Sequence, residues 1–181
     1  MGGTELMPTT SQIFVLNGSP TAGKNTFVKM LPCDCVHYSY VDFTRSMLDY
    51  KEVDYKPKPN EPKSNKSRVL LETINNALEE FDDIPFKDCC DLTRDFLEGY
   101  LECEYLFVDI RKPCNIKRFL DEFKGARAVY IDDKRPISSV TESDSQVANY
   151  DYDFYIDNSG SLENLQREAN RFIAEIRGDK S

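Results

Sequence analysis

The sequence predicts a three-layer α/β/α fold with a five-stranded parallel sheet. Three observations lead there. Short apolar, β-branched and aromatic runs alternate with stretches of helical periodicity along the chain. The first run leads into a glycine-framed turn and then a helix. No internal repeat or domain linker divides the chain, whose 181 residues, 40% of them hydrophobic, can bury one sizeable core without disulfides or metal.

The first strand is Ile13-Phe14-Val15-Leu16, apolar throughout, as a strand covered on both faces should be. Behind it, Gly18-Ser19-Pro20-Thr21-Ala22-Gly23-Lys24-Asn25-Thr26 fits G-x-x-x-x-G-K, and Phe27, Met30 and Leu31 recur at helical spacing until Pro32. This order aims backbone N–H groups and the positive end of a helix dipole at one spot, which suits a phosphate. Gly18 and Gly23 permit angles and close approach that a Cβ would forbid. Lys24 can reach the β- and γ-phosphates of a nucleotide, and Ser19, Ala22 and Asn25 complete the loop. Asn25 stands where Ser or Thr is usual for touching Mg²⁺; the hydroxyl comes one place later, at Thr26.

Cys35–Ser39 is the second strand and Asp42–Tyr50 the helix after it. Their junction puts Asp42 at a strand's carboxyl end and Arg45 one helical turn on, at the edge where a doubly wound sheet binds ligands. Residues 52–62, with Pro57, Pro59 and Pro62, read as a loop. Leu70, Ile74, Ala77, Leu78 and Phe81 make an amphipathic helix over about 65–81, and a second spans about 86–101. Residues 50–101 therefore form a helical insertion suited to covering a substrate, with Arg68 near its start as a phosphate contact.

Tyr105-Leu106-Phe107-Val108-Asp109 is the third strand, an apolar run ending in a carboxylate that can hold Mg²⁺ through its waters. Arg111 follows at the same edge, placed for a bidentate grip on phosphate. A short helix spans 115–123 and a fourth strand 126–131. The polar stretch 132–150, with Lys134 and Arg135, has the makings of a lid that closes cations over a nucleotide. Asp153–Asp157 is the fifth strand, Asn158–Ser161 a turn, and Leu162–Arg177 a final helix whose stripe is Leu162, Leu165, Ala169, Phe172, Ile173 and Ile176.

Lys plus Arg number 23 against 32 Asp plus Glu, a formal net charge of −9, which repels a nucleic-acid backbone while leaving room for local Arg clusters. No run is apolar enough to span a bilayer, and Met1–Thr10 is a polar, flexible N-terminus rather than a leader, so a cytoplasmic protein is expected. The six cysteines lack zinc-ribbon spacing and are expected as reduced, partly buried thiols. The single histidine, His37, falls in a strand and is expected to be a packed residue.

On NGSPTAGKNTF, YSYVDFTR, LFVDIRKP and YDYDFYIDNSGSLENL, residues 11–178 resemble one P-loop kinase domain of the nucleoside monophosphate kinase superfamily, closest to phage and bacterial deoxynucleoside monophosphate kinase-like ATP-binding proteins. The GK-x-T ending is similar to the GKGT or GKDT of such kinases. Asp42-x-x-Arg45 is similar to the G-D-x-x-R of adenylate kinases, and Asp109-Ile110-Arg111 to the D-x-R of phage deoxynucleoside monophosphate kinases. The turn from Asp157 to Leu162 resembles that of dephospho-coenzyme A kinase, where it lies near the adenine of ATP. Two departures argue against adenylate kinase proper: Thr21-Ala22 in the loop, and Lys134-Arg135 in place of a paired-Arg lid.

The resemblance implies ATP and Mg²⁺ as cofactors, small-molecule nucleotide substrates, and no nucleic-acid or membrane partner. It implies that Gly18, Ser19, Ala22, Gly23, Lys24, Asn25, Thr26 and Asn158 hold ATP. Thr26 and Asp109 would serve Mg²⁺ through water, and Asp42, Arg45, Arg68 and Arg111 the acceptor. Lys24, Asp42, Arg111 and Arg135 would be catalytic. The expected activity is transfer of the γ-phosphoryl of ATP to a (deoxy)nucleoside monophosphate. Dephospho-coenzyme A kinase, another alcohol kinase, or a non-catalytic nucleotide-binding regulator remain open on these residues.

Overall fold

A computed structural model describes residues 12–56, 65–134, 147–148 and 150–178. In chain order the elements are β1 (Gln12–Gly18), α1 (Lys24–Met30), β2 (Cys35–Ser39), α2 (Asp42–Tyr50), α3 (Asn65–Asp82), α4 (Ile84–Leu97), β3 (Tyr105–Asp109), α5 (Pro113–Glu122), β4 (Arg127–Asp132), β5 (Phe154–Asp157) and α6 (Leu162–Arg177). The strands form one five-stranded sheet in the order β2-β3-β1-β4-β5. Every neighbouring pair is parallel, with Leu16 opposite Asp109 and Gly18 opposite Ile131. All strand carboxyl ends therefore lie along one edge.

Alternation along β1 builds the two faces. Ile13 and Val15 join Leu106, Val108 and Ala128 beneath α4 and α5, which supply Cys89, Phe96, Ile116 and Phe119. Phe14 and Leu16 join Phe107, Val129 and Ile131 beneath α1 and α6, which supply Phe27, Leu165, Ala169 and Phe172. Phe172 is the hub of the second face: its ring meets Phe14 at 5.1 Å, Phe154 at 5.2 Å and Phe27 at 5.7 Å, each edge-on, the arrangement the ring quadrupole favours.

Three expectations change. The second helix of the α3–α4 pair begins at Ile84 and ends at Leu97, not at about 86 and 101. Pro85 sits in its first turn, where the missing N–H has no intrahelical role, so the break narrows to Asp83, in the left-handed region at φ 53°. On α3 the apolar stripe is not the buried face, for Phe81 is 83% exposed and Leu70 is exposed too, while the most buried described side chain is Asn75. On α6, Leu162 stands outside the core stripe at 62% exposure, whereas Leu165, Ala169, Phe172 and Ile173 are buried. At the C-terminal end of α6, Gly178 adopts φ 75°, as a left-handed helix stop does.

All six thiols are free. Burial, chiefly, pushes Cys33 up to about 12. No helix among the described residues is long and apolar enough to cross a membrane. The polar N-terminus (1–10), most of the loop expected at 52–62, and Arg135 with most of the lid-like stretch lie outside the described residues.

Candidate functional site

At the carboxyl ends of β1, β2 and β3 a cleft of about 870 Å³ opens, lined by the loop after β1, the β2–α2 junction, one face of α3 and the start of the β3–α5 connection. Its size falls in the range of small-molecule sites.

The loop is built from within. Gly18 packs so close to β4 that a Cβ there would stand 2.7 Å from the Ile131 carbonyl, closer than any real contact. Its N–H donates to the side chain of Asn17 at 2.8 Å. Asn17 in turn donates to the Tyr152 hydroxyl at 2.8 Å and the Arg111 carbonyl at 3.2 Å. Lys24 is 8% exposed and folds back into the loop, its Nζ donating to the Gly18 carbonyl at 2.9 Å. No side chain caps the start of α1 and no acidic residue stands in its first turn. Thr26 and Asn25 line the cleft beside Lys24, while Gly18 and Ser19 are buried and stand outside its lining. Asn158 reaches across from the turn after β5 and donates to the Ala22 carbonyl at 2.8 Å, so the side chain expected near adenine braces the loop itself.

Opposite the loop, Asp42 and Arg45 lie one turn apart on α2, and Arg45 Nη1 donates to Asp42 Oδ1 at 2.5 Å. The other carboxylate oxygen accepts from the Ser39 N–H at 2.7 Å. Asp42 is thus held by the strand end and in turn aims Arg45. Arg68 and Arg111 line the same cleft, each with interactions of its own.

Asp109 closes the floor. It is 8% exposed, and its Oδ1 is buried without a hydrogen-bond partner. An orphaned buried carboxylate oxygen is costly unless something binds it. A hydrated divalent cation fits that oxygen, with the Thr26 hydroxyl in the same cleft. Among the described residues no three His, Cys, Asp or Glu side chains gather into a metal cage.

Known protein-family profiles give no match to the chain, and no curated protein matches it. Solved structures do. The dephospho-CoA kinase from Campylobacter jejuni is similar at 15% identity and a TM-score of 0.51, over 93% of this chain and 98% of that one. The crystal structure of TT1252 from Thermus thermophilus is similar at 16% identity and a TM-score of 0.50, over 92% and 98%. The chain shares their fold, a five-stranded parallel sheet packed between helices.

Of the residues singled out in the sequence, the cleft gathers Ala22, Gly23, Lys24, Asn25, Thr26, Asp42, Arg45, Arg68, Asp109 and Arg111. It also takes in His37, which is more than a packed residue. His37 lies opposite Phe107 in the β2–β3 register, on the same face of the sheet as Asp109, and its Nε2 is buried without a partner. Burial chiefly lowers its pKa, with Lys24 and Arg45 adding to the effect and Asp109 and Asp42 opposing it, so the ring sits among the charges of the site. The α3 wall bears Arg68 as the sequence suggested, but its other lining residues were not singled out there. Arg68, Leu71, Glu72, Asn75 and Asn76 line the cleft, and the signal was the i, i+3, i+4 recurrence of polar residues opposite the apolar stripe.

Behind that wall, Glu79 accepts from Lys112 at 2.7 Å, Asn115 at 2.5 Å and the Tyr40 hydroxyl at 3.1 Å. This network ties α3 to the β2–α2 junction and to the start of α5.

Proposed function

We propose that the protein transfers the γ-phosphoryl group of ATP to the phosphate of a (deoxy)nucleoside monophosphate. The observation that carries this reading is that Lys24, Arg45, Arg68 and Arg111 all face one cleft. Cations on both sides suit two polyanions brought end to end, since phosphoryl transfer asks mainly for alignment and charge neutralisation.

In this reading the loop N–H groups and Lys24 hold the β- and γ-phosphates, Lys24 leaving the Gly18 carbonyl to do so. Arg45, aimed by Asp42, holds the acceptor phosphate together with Arg111 and Arg68. An acceptor oxygen forms a bond to the γ-phosphorus as the bond to the bridging oxygen breaks, and ADP departs with that electron pair. Bound Mg²⁺ would neutralise phosphate charge; Thr26 and Asp109 are the residues that would hold it, through water. The acceptor is already an anion, so no strong base is required. Arg135 is assigned to the closing lid on the strength of its position after β4 alone.

A second reading, an alcohol acceptor as in dephospho-coenzyme A kinase, draws on the structural likeness to the Campylobacter jejuni protein. There Asp42 would have to take a proton from the alcohol. Each of its oxygens accepts one hydrogen bond, from the Ser39 N–H and from Arg45, which orients the carboxylate and leaves a lone pair on each oxygen for that proton.

The test is ADP release with each ribo- and deoxynucleoside monophosphate and with dephospho-coenzyme A, against a Lys24→Ala control. Acceptor-dependent release that falls on the order of 10²-fold or more in the variant is expected, the loss typical of one preorganised charge contact. Release only with dephospho-coenzyme A, abolished by Asp42→Asn, would transfer the assignment to the second reading. ATP binding without product in any well would leave a nucleotide-binding regulator.

A further inference from the structure

Two buried atoms in the cleft lack what buried polar atoms ordinarily have. Asp109 Oδ1 and His37 Nε2 are each shielded from solvent and each without a hydrogen-bond partner. A desolvated polar atom left unpaired costs free energy, so two of them side by side call for a common reason. The sheet does put them side by side. His37 stands opposite Phe107 and Ser39 opposite Asp109, and residues two apart on a strand share a face. His37 and Asp109 are therefore diagonal neighbours on adjacent strands, close enough for long side chains to meet. Of the charges around the imidazole, that of Asp109 is felt most strongly, ahead of Asp42, Lys24 and Arg45. Both residues line the cleft, as do Ser39, Lys24 and Thr26.

The pair restricts what can bind between them. An ionised carboxylate only accepts hydrogen bonds, and so does a phosphate oxygen that has lost its proton. A phosphate could pair with an N–H of His37 but would leave Asp109 Oδ1 bare. A divalent cation satisfies both atoms, because a carboxylate oxygen and an imidazole lone pair are both metal ligands. Nε2 offers that lone pair when the ring proton sits on Nδ1.

The same pair selects among cations. Mg²⁺ takes oxygen ligands and gives up its waters reluctantly, which suits Asp109 and leaves His37 unused. First-row transition ions accept imidazole readily beside carboxylate. Resting on the nucleotide reading above, we infer that His37 Nε2 and Asp109 Oδ1 form a mixed nitrogen–oxygen site for a first-row divalent transition ion, completed by water and the phosphates of the bound nucleotide. His37 is then a metal ligand that makes the cleft prefer Mn²⁺ or Co²⁺ to Mg²⁺.

The chain holds one histidine, so a single nucleus reports on the site. Untagged protein carrying ¹⁵N only in histidine is loaded with Mn²⁺ and a non-hydrolysable ATP analogue, and electron spin-echo spectroscopy reads whether that nitrogen couples to the ion. A coupling of the strength of a direct metal–nitrogen bond is expected, and His37→Gln should abolish it. Calorimetric titration gives the second measure. The wild type with the analogue should favour Mn²⁺ over Mg²⁺ about tenfold more than the free analogue does, and His37→Gln should return that ratio to the free value, a loss of the size that disturbing a metal's protein shell brings. The spectrum is taken on the wild type, so it decides even if the variant folds poorly. Mn²⁺ and analogue bound without ¹⁵N coupling would overturn the metal-ligand role of His37 and leave a water between the two residues, with the nucleotide reading intact. An analogue that binds with neither ion would overturn the nucleotide reading and the phosphate-completed site together.

Discussion

Asn158 and Gly23 form a matched pair. The Asn158 amide donates to the Ala22 carbonyl at 2.8 Å, and a Cβ on Gly23 would stand 2.5 Å from that same amide nitrogen. Gly23 also adopts φ 91°, which L side chains rarely do. The brace is possible because the loop residue beside it has no side chain. Asn158→Ala should therefore cost about 1 kcal/mol of stability and loosen the loop, weakening ATP-analogue binding several-fold. Thermal melts and nucleotide titration check both effects. Gly23→Ala should be worse on both, since it adds left-handed strain to the displaced brace. An Asn158→Ala protein with wild-type affinity would show that the loop holds its shape unaided.

Under the proposed function, Asp109 pulls stability and function in opposite directions. Its Oδ1 is buried without a hydrogen-bond partner, and a buried polar atom left unpaired is a folding liability. Asp109→Asn keeps the shape and removes the charge. The variant should melt at the same temperature as the wild type or higher, while its turnover falls and its Mg²⁺ requirement rises. Calorimetry and a Mg²⁺ titration of ADP release measure the two. A variant that melts lower would mean that the carboxylate contributes to the fold.

Two groups divide the acid limb of stability into separate windows. Burial chiefly holds the His37 pKa below its ordinary 6.5, so the unfolded chain takes up that proton first. The stability associated with a neutral His37 is complete above pH about 6.5 and declines as pH falls below it. Burial alone would raise Glu79, but the bonds from Lys112, Asn115 and Tyr40 outweigh it and hold its pKa below the ordinary 4.5. Its contribution is present above pH about 4.5 and is lost as pH falls through the depressed folded value. Chemical denaturation from pH 8 to 3 should show His37→Gln flattening the curve between about 7 and 5, with Glu79→Gln flattening it only below about 5. Identical pH profiles for either variant and the wild type would contradict the assignment for that residue.

What the sequence could and could not convey follows from the range of the forces involved. Strands β2 and β3 and helices α2 and α6 coincide with their sequence-level bounds, because each is set by local periodicity and by neighbouring turn residues. The loop from Gly18 to Thr26, with Asp42, Arg45, Asp109 and Arg111, was legible for the same reason: each motif is short and lies at a strand's end. His37 was not, because whether a strand residue packs or faces a cleft depends on which face it takes in a register set by β3. Asn75 and Asn76 were hidden by the apolar stripe of α3, which suggested that Leu70 and Phe81 faced inward. A helix beside a polar cleft can bury its polar side, and that depends on what stands opposite, here Thr44 and Lys112.

The aromatic hub gives the last test. Phe172 is fully buried on α6 and meets Phe14 of β1, Phe27 of α1 and Phe154 of β5, so one side chain ties the helix to the strand and the helix that bracket the Gly18–Gly23 loop. Phe172→Ala should cost about 3–5 kcal/mol, the usual range for emptying a buried phenyl site. Leu162→Ala, at an exposed position on the same helix, should stay within about 0.5 kcal/mol. Denaturant unfolding of the two variants supplies the comparison. Nucleotide binding adds a second measure, because the α1–α6 interface is what seats Phe27, three residues beyond Lys24, against the sheet. If Phe172→Ala is destabilised as expected but binds an ATP analogue with unchanged affinity while still folded, the loop is held by Asn17 and Asn158 alone. A parallel loss of affinity places the hub in the chain of contacts that fixes Lys24.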